Sequence, residues 1–94
     1  MHNKLSNYRT TWIDQADGSG SVVYVHTPIV SWDKESITLR SDGWETVTTK
    51  RKMNQSSLQF GLGFGVFQEN HEWFVVTPKG ETIDFVDGMK INRV

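Results

Sequence analysis

The chain has 94 residues and a formal net charge of −1, and hydrophobic residues make up 36% of it. This composition predicts one small globular domain over residues 1–94, with a polar, flexible segment at 1–7. The absence of cysteine excludes disulfides and thiolate zinc sites, and no apolar run is long enough for a membrane-spanning helix. Because proteins that coat duplex nucleic acid are usually basic, the charge also argues against duplex binding.

Alternating β-branched and aromatic residues predict three or four strands in the first half of the chain. The segment Asp14–Gly20 is typical of a hairpin loop, because it contains Asp-Gly and Ser-Gly. Thr27-Pro28 predicts a bulge, an edge or a strand end, since proline cannot donate a hydrogen bond to a strand ladder. The predicted strands are 8–13, 21–26, 29–32 and 37–40.

The strand alternation stops near residue 46, and the residues that follow fit helical spacing instead, with Val47, Arg51, Asn54 and Leu58 on one face and Thr49, Met53 and Phe60 on another. Either Thr46 or Thr48 can serve as the N-cap, and Phe60-Gly61 provides a stop. We therefore predict one helix near residues 47–59. Because its many Thr, Ser and Asn residues disfavour an isolated helix, tertiary packing must stabilise it.

Strand patterns return after the predicted helix. Phe60, Leu62, Phe64 and Val66 alternate with three glycines, which leaves one face of this predicted strand bare. Further strands are expected at 72–77 and 81–86, and a tail at 89–94 pairs at a sheet edge. Since short turns imply antiparallel pairing, the predicted fold class is α+β. It has about six antiparallel strands, in a meander or a partly closed barrel, with the helix between the two strand groups.

Three threonines and three cations lie together at the start of the predicted helix, between residues 46 and 52. The first N–H groups of a helix have no intrahelical acceptor and its dipole is positive there, which favours an anion. Threonine hydroxyls and cationic side chains add donors for phosphate. In a purely structural interpretation, Thr46 or Thr48 is a cap, the cations at 50–52 form a solvated face and Trp44 is a core residue. The candidate ligand-binding residues are Thr48, Thr49, Lys50 and Arg51 for phosphate, and Trp44 and Trp73 for stacking.

The sequence predicts neither a metal site nor a cofactor. His26 and His71 belong to no metal-ligand spacing, and no local catalytic motif surrounds them. We expect His26 to make a core or edge hydrogen bond and His71 to lie exposed in a turn. An enzyme would have to use one of these histidines, so a non-enzymatic role is favoured.

Three blocks of sequence together form a family signature. They are Gly43-Trp44-x-Thr46-x-Thr48-Thr49-Lys50-x-x-Met53-Asn54-Gln55, Gly61-Leu62-Gly63-Phe64-x-Val66-Phe67-Gln68 and Trp73-Phe74-Val75. Over residues 8–86 the chain resembles a group of small proteins encoded by tailed phages and prophages. This resemblance transfers no activity or site residue, but it implies a phage setting and action in the cytoplasm of an infected bacterium.

Three functions follow as hypotheses. The first is non-enzymatic binding of a phosphate-bearing ligand, with sequestration of a nucleotide signal of host defence as the specific expectation. The alternative is a protein that binds and inhibits a host defence or nuclease complex, comparable to an anti-CRISPR protein, and the third is a small nucleotide hydrolase. The expected partners are therefore a phosphate-bearing small molecule or a host protein, with no membrane involved. Unpaired strand edges also predict a homo-oligomer.

Overall fold

The structure, a computed structural model, describes residues 9–43 and 45–93. Its elements in chain order are β1 (Thr10–Asp14), β2 (Gly20–Tyr24), β3 (Thr27–Trp32), β4 (Ser36–Leu39), α1 (Val47–Gln59), β5 (Gly65–Glu69), β6 (Glu72–Val76), β7 (Thr82–Asp84) and β8 (Met89–Asn92). The strands form two antiparallel sheets, ordered β1-β2-β3-β4-β8 and β5-β6-β7. The α+β class and the helix at 47–59 are thus confirmed, and the sheets do not close into a barrel. The predicted loose segment 1–7 lies outside the described residues.

The C-terminal tail returns to the first sheet. β8 pairs with β4 and forms one edge of this sheet, and Ile91 lies opposite Ile37 in this pairing. Both isoleucine side chains are buried. The tail therefore pairs at a sheet edge as predicted, and it raises the number of strands to eight.

The proline segment lies at a tight hairpin between β2 and β3. β2 ends at Tyr24, and the next strand begins at Thr27. The register shifts by one residue between Val22 and Val23, where Val23 faces Pro28. The predicted interruption is therefore a bulge at the start of β3, and the strand predicted at 21–26 is two residues shorter at its C-terminal end.

The glycines after the helix terminate it instead of leaving a strand face bare. Gly61 and Gly63 have φ angles of +64° and +79°, which belong to the left-handed region. The Leu62 N–H donates to the Ser57 carbonyl at 2.9 Å, as in a Schellman-type helix ending. The strand predicted from residue 60 consequently starts only at Gly65.

Both sheets and the helix contribute to one hydrophobic core. Trp32 from β3 stacks on Phe60 at the helix C-terminus, with ring centroids 4.9 Å apart. Met53 is the fully buried apolar residue of α1. The remaining core members are Val22, Ile29, Val30, Ile37, Leu39, Leu62, Phe64, Val66, Trp73, Val75 and Ile91.

The polar side chains of α1 bind the backbone at the edge of the second sheet. Asn54 donates from Nδ2 to the Val66 carbonyl at 2.9 Å and accepts from the Val66 N–H at 2.8 Å. Ser57 makes the same pair of bonds to Phe64, at 2.7 and 2.9 Å. These two side chains take the place of a neighbouring strand. They supply the packing that a helix of this composition requires.

Candidate functional site

The N-terminus of α1 is capped by a threonine side chain. Thr46 has extended backbone angles, and its Oγ1 accepts a hydrogen bond from the Thr49 N–H at 3.2 Å. The Lys50 N–H makes the first intrahelical bond, to the Thr46 carbonyl. No acidic residue lies in the first turn. Because the N–H groups of Val47 and Thr48 have no acceptor within the helix, this end keeps its positive potential.

A cavity of about 540 Å³ opens at this end of the helix. Its volume lies in the range of small-molecule sites. Hydroxyl groups from the helix start form one part of its lining, and an apolar wall from β2 and β3 forms another. The hydroxyl-bearing residues are Thr46, Thr48 and Thr49, and the apolar wall contains Tyr24, Val25 and Ile29.

Two basic residues line this cavity, His26 in the hairpin between β2 and β3 and Arg9 just before β1. The Val25 N–H donates to the Arg9 carbonyl at 2.8 Å, which holds the hairpin against the start of β1. Arg9, Val25 and His26 all line the cavity. Val25 has a φ angle of +61°, which a β-branched residue rarely adopts. The surrounding contacts therefore hold the backbone of this wall in a strained conformation.

The loop after β4 forms the remaining wall and is held by Asp87. The Asp87 carboxylate accepts the N–H of Ser41 at 2.9 Å, and the N–H groups of Asp42 and Gly43 also bind it. Partial burial alone would raise the pKa of Asp87, but these backbone hydrogen bonds outweigh it and lower the pKa. Ser41 itself is fully buried. Its Oγ has no hydrogen-bond partner within residues 9–43 and 45–93.

We expect the variant Asp87→Asn to be less stable than the wild type at neutral pH. The loss in free energy of unfolding should not exceed about 1 kcal/mol, because solvent screens this exposed carboxylate. Because the pKa of Asp87 is lower in the folded state, its ionised carboxylate stabilises the protein at pH values above the unfolded-state pKa near 3.8. This contribution is lost as the pH falls through the folded pKa. The difference between the variant and the wild type should therefore shrink below about pH 4, in urea unfolding curves measured from pH 7 down to pH 3. A difference that does not change over this range would contradict the assignment.

A buried lysine lies behind the aromatic wall of the cavity. Lys52 is 4% exposed, and its Nζ lies 5.2 Å from the centroid of the Tyr24 ring. Burial lowers the pKa of this ammonium group. The long side chain therefore supports the Tyr24 ring from the helix side through a cation–π contact.

Of the six predicted site residues, the structure places Thr48 and Thr49 at the cavity beside the start of α1. Thr48 and Thr49 line the cavity, but Lys50 and Arg51 are not among its lining residues. Trp73 is 7% exposed and packs edge-on against Phe85, with ring centroids 5.4 Å apart. It therefore belongs to the core. Trp44 falls outside the described residues.

Sequence reasoning missed Arg9, Ser41 and Asp42, which also line the cavity. No local pattern marks these residues, because they reach the helix start only through the pairing of the first sheet. His26 was expected to make a core or edge hydrogen bond. The residue lies exposed in the hairpin turn, so it is not a core residue, and an edge hydrogen bond of His26 stays a prediction. His71 is exposed in a turn as predicted.

Two further features were searched for in the described part of the chain. No group of three His, Asp or Glu side chains there is arranged to hold a metal ion. The helix α1 is 13 residues long, and no helix among residues 9–43 and 45–93 has the length and apolar character needed to cross a membrane.

Comparison with known proteins identifies a protein family. No curated protein and no solved structure matches the chain. The family model described as Kyanoviridae Gp96 protein matches residues 2–92, which is nearly the whole chain. This match confirms the phage setting that the sequence blocks implied. The chain therefore belongs to the Kyanoviridae Gp96 protein family, a phage protein family.

Proposed function

We propose that this protein is a non-enzymatic binding protein for a phosphate-bearing ligand held in the cavity at the N-terminus of α1. A nucleotide signal of host defence, sequestered by the phage protein, is the ligand that we favour. One observation carries the proposal. A single cavity is lined by the threonines at the start of a helix, by Arg9 and by Ser41, whose buried hydroxyl has no hydrogen-bond partner among the described residues.

The helix start supplies the chemistry for an anion. The N–H groups of Val47 and Thr48 lack intrahelical acceptors, and the Thr48 hydroxyl lies at the same end. The first turn of the helix contains no carboxylate that would compete with a bound phosphate for the positive end of the dipole. Arg9 adds a full positive charge and a planar set of donors suited to phosphate oxygens.

The cavity wall from β2 and β3 is apolar, and this suits the base of a nucleotide. Tyr24, Val25 and Ile29 give the cavity an aromatic and aliphatic lining. Nucleobases stack on aromatic rings and bury well against aliphatic side chains. A ligand with an anionic end and a flat apolar end would therefore use both parts of the cavity.

A matched pair of variants tests the location of the site. We expect Arg9→Gln to weaken binding by roughly tenfold to a hundredfold, which corresponds to about 1.5–3 kcal/mol for a charge-assisted contact. Arg51→Gln removes the same charge from the exposed helix surface outside the cavity, so it should leave the affinity within about twofold. The measurement is isothermal titration calorimetry with ATP, AMP and 3′,5′-cyclic AMP and with their guanosine counterparts.

Two results would contradict the proposal. Loss of affinity in Arg51→Gln with full affinity in Arg9→Gln would place the phosphate on the exposed helix face instead of in the cavity. Nucleotide that is recovered chemically altered, as judged by mass spectrometry after denaturing the protein, would favour a hydrolase. In that case His26, the histidine that lines the cavity, becomes the first residue to replace.

A second candidate function is protein binding or self-association through the edge of the first sheet. Among the described residues β1 pairs only with β2, so its other edge lies at the end of the sheet. Trp12 and Ile13 on this strand are 37% and 58% exposed. Exposed strand edges with apolar side chains favour pairing with another chain. Sedimentation equilibrium of the wild type and of Ile13→Lys tests self-association, and identical monomer masses would contradict it.

A further inference from the structure

We infer that the outer face of the second sheet binds a protein segment that presents arginine side chains. The outer face is the side of β5, β6 and β7 turned away from the core, and it carries Phe67, Glu69, Glu72, Phe74 and Asp84. The described lining of the cavity at the helix start contains no residue of this sheet. The inference therefore concerns a second site and does not depend on the phosphate-binding proposal.

The alternation of β6 separates the core side of the sheet from its outer face. Trp73 and Val75 are 7% and 0% exposed and belong to the core. Successive residues of a strand point to opposite faces of the sheet. Glu72, Phe74 and Val76 therefore lie on the outer face, where two of the three side chains are apolar.

Two phenylalanine rings stack on this outer face. Phe67 in β5 lies directly opposite Phe74 in β6, and their ring centroids are 5.4 Å apart with 27° between the ring planes. Both side chains are half-buried. Among the described residues, neither belongs to the core or to the partly buried side chains that pack against it. The pair therefore offers a flat aromatic surface to a partner.

Carboxylates lie on two sides of the aromatic pair. Glu69 and Glu72 are directly opposite each other, two residues further along β5 and β6 and on the same face as the rings. Asp84 in β7 lies opposite Phe74, on the other side of that ring. All three acidic residues are exposed. A cation that contacts the rings would therefore meet a negative charge in two directions.

The charge of this part of the chain differs in sign from that of the remainder. Residues 65–84 contain four carboxylates, one lysine and one histidine, which gives a formal charge of −3 with neutral histidine, whereas the other residues together carry +2. His71 lies in the turn between β5 and β6, and Lys79 lies with Glu81 between β6 and β7. The three strands themselves contain no lysine, arginine or histidine. The outer face is therefore complementary to a basic partner.

The glutamate pair is unfavourable for the protein alone. Like charges directly opposite each other on one face of an antiparallel pair are destabilising. A cation placed between Glu69 and Glu72 would replace this repulsion by two attractive contacts. The pair is therefore better explained by a bound cation than by the stability of the hairpin.

Arginine fits the combination of rings and carboxylates better than lysine does. Its planar guanidinium stacks on an aromatic ring and at the same time donates hydrogen bonds to a carboxylate, whereas an ammonium group is a compact, strongly hydrated charge. Positions two residues apart on a strand are separated by about 7 Å. One guanidinium above Phe74 can thus reach the carboxylate of Glu72. A nucleic acid would be repelled, because its phosphates and this face have the same charge.

The test uses three short peptides that differ only in two side chains. They are acetylated and amidated pentapeptides with the sequences GRGRG, GKGKG and GQGQG, titrated into the full chain and followed by ¹⁵N–¹H NMR. We expect saturable shifts from the arginine peptide, largest for the amides of β5 and β6. The Kd of the lysine peptide should be about twofold to fivefold higher. The glutamine peptide should give no saturable shift.

Three variants test the residues of the face. Glu72→Gln should raise the Kd of the arginine peptide by about twofold to fivefold, without lowering the melting temperature because it removes the repulsion from Glu69. Phe74→Leu should raise this Kd by a similar factor of about two to five and remove the preference for arginine over lysine. The control Glu35→Gln makes the same chemical change at an exposed turn of the first sheet, and it should leave the Kd unchanged.

Several outcomes would overturn the inference. Equal losses of affinity in Glu35→Gln and Glu72→Gln would show only a general attraction between a basic peptide and an acidic protein. An arginine preference that survives in Phe74→Leu, or an arginine peptide that shifts no signal of the second sheet, would exclude the aromatic pair as the contact. If the protein without peptide is larger in sedimentation equilibrium than its Glu72→Gln variant, a second copy of the chain occupies the face instead.

Discussion

Replacing Ser57 with alanine is expected to lower the free energy of unfolding by about 2–4 kcal/mol. Ser57 is 4% exposed, and its hydroxyl both donates to the Phe64 carbonyl and accepts from the Phe64 N–H. Alanine would leave the Phe64 N–H and the Phe64 carbonyl without this partner. Each buried group without a hydrogen bond costs about 1–3 kcal/mol. The measurement is equilibrium unfolding in urea, followed by tryptophan fluorescence.

The neighbouring serine provides a matched control. Ser56 is fully buried, but its hydroxyl donates only to the Lys52 carbonyl, one turn back within the same helix. Because that carbonyl also belongs to the helix ladder, Ser56→Ala should change the stability by less than about 1 kcal/mol. Equal losses in the two variants would show that the bonds to the second sheet do not contribute specifically.

Replacing Gly20 with alanine is expected to destabilise the protein by about 3 kcal/mol. Gly20 begins β2 and lies opposite both Asp14 and Trp32 in the first sheet. A Cβ atom added there would overlap the Trp32 ring and the carbonyl oxygen of Ile13. The carbonyl belongs to the backbone and the Trp32 ring is fixed by its stacking on Phe60, so neither can move away at low cost.

The control for this variant is Gly65→Ala at the start of β5. The atom nearest to an added Cβ there is the Asn54 side-chain oxygen at 3.9 Å, an ordinary van der Waals distance. We expect this variant to unfold within about 1 kcal/mol of the wild type. Thermal unfolding followed by circular dichroism measures both. A Gly20→Ala protein as stable as Gly65→Ala would mean that the Trp32 ring has an alternative position.

The helix and most strands could be predicted because their signals are local. The helix bounds followed from a threonine cap at one end and Phe60-Gly61 at the other, which are the positions where the structure begins and ends α1. The strand predicted from residue 60 was partly wrong, because it starts only at Gly65. Alternating glycines are compatible both with a strand and with a helix ending, and only the positive φ of Gly61 and Gly63 distinguishes them.

The candidate site could be predicted only in part. Thr48 and Thr49 were identified because the start of a helix has a recognisable chemistry. The cations next to them in sequence do not line the cavity. A side chain one or two residues further along a helix points to a different face, because successive residues are about 100° apart. Arg9, Ser41 and Asp42 come from distant segments and give no local signal.

The sequence by itself determined the α+β class, the antiparallel pairing, the position of the helix and the phage relationship, because each depends on short-range patterns. Tertiary structure decided which strands share a sheet, that β8 returns to pair with β4, and that the polar face of α1 binds the edge of the second sheet. It also decided which residues surround the cavity. These features depend on contacts between residues far apart in the chain, and a local pattern does not specify which of several compatible partners a segment will meet.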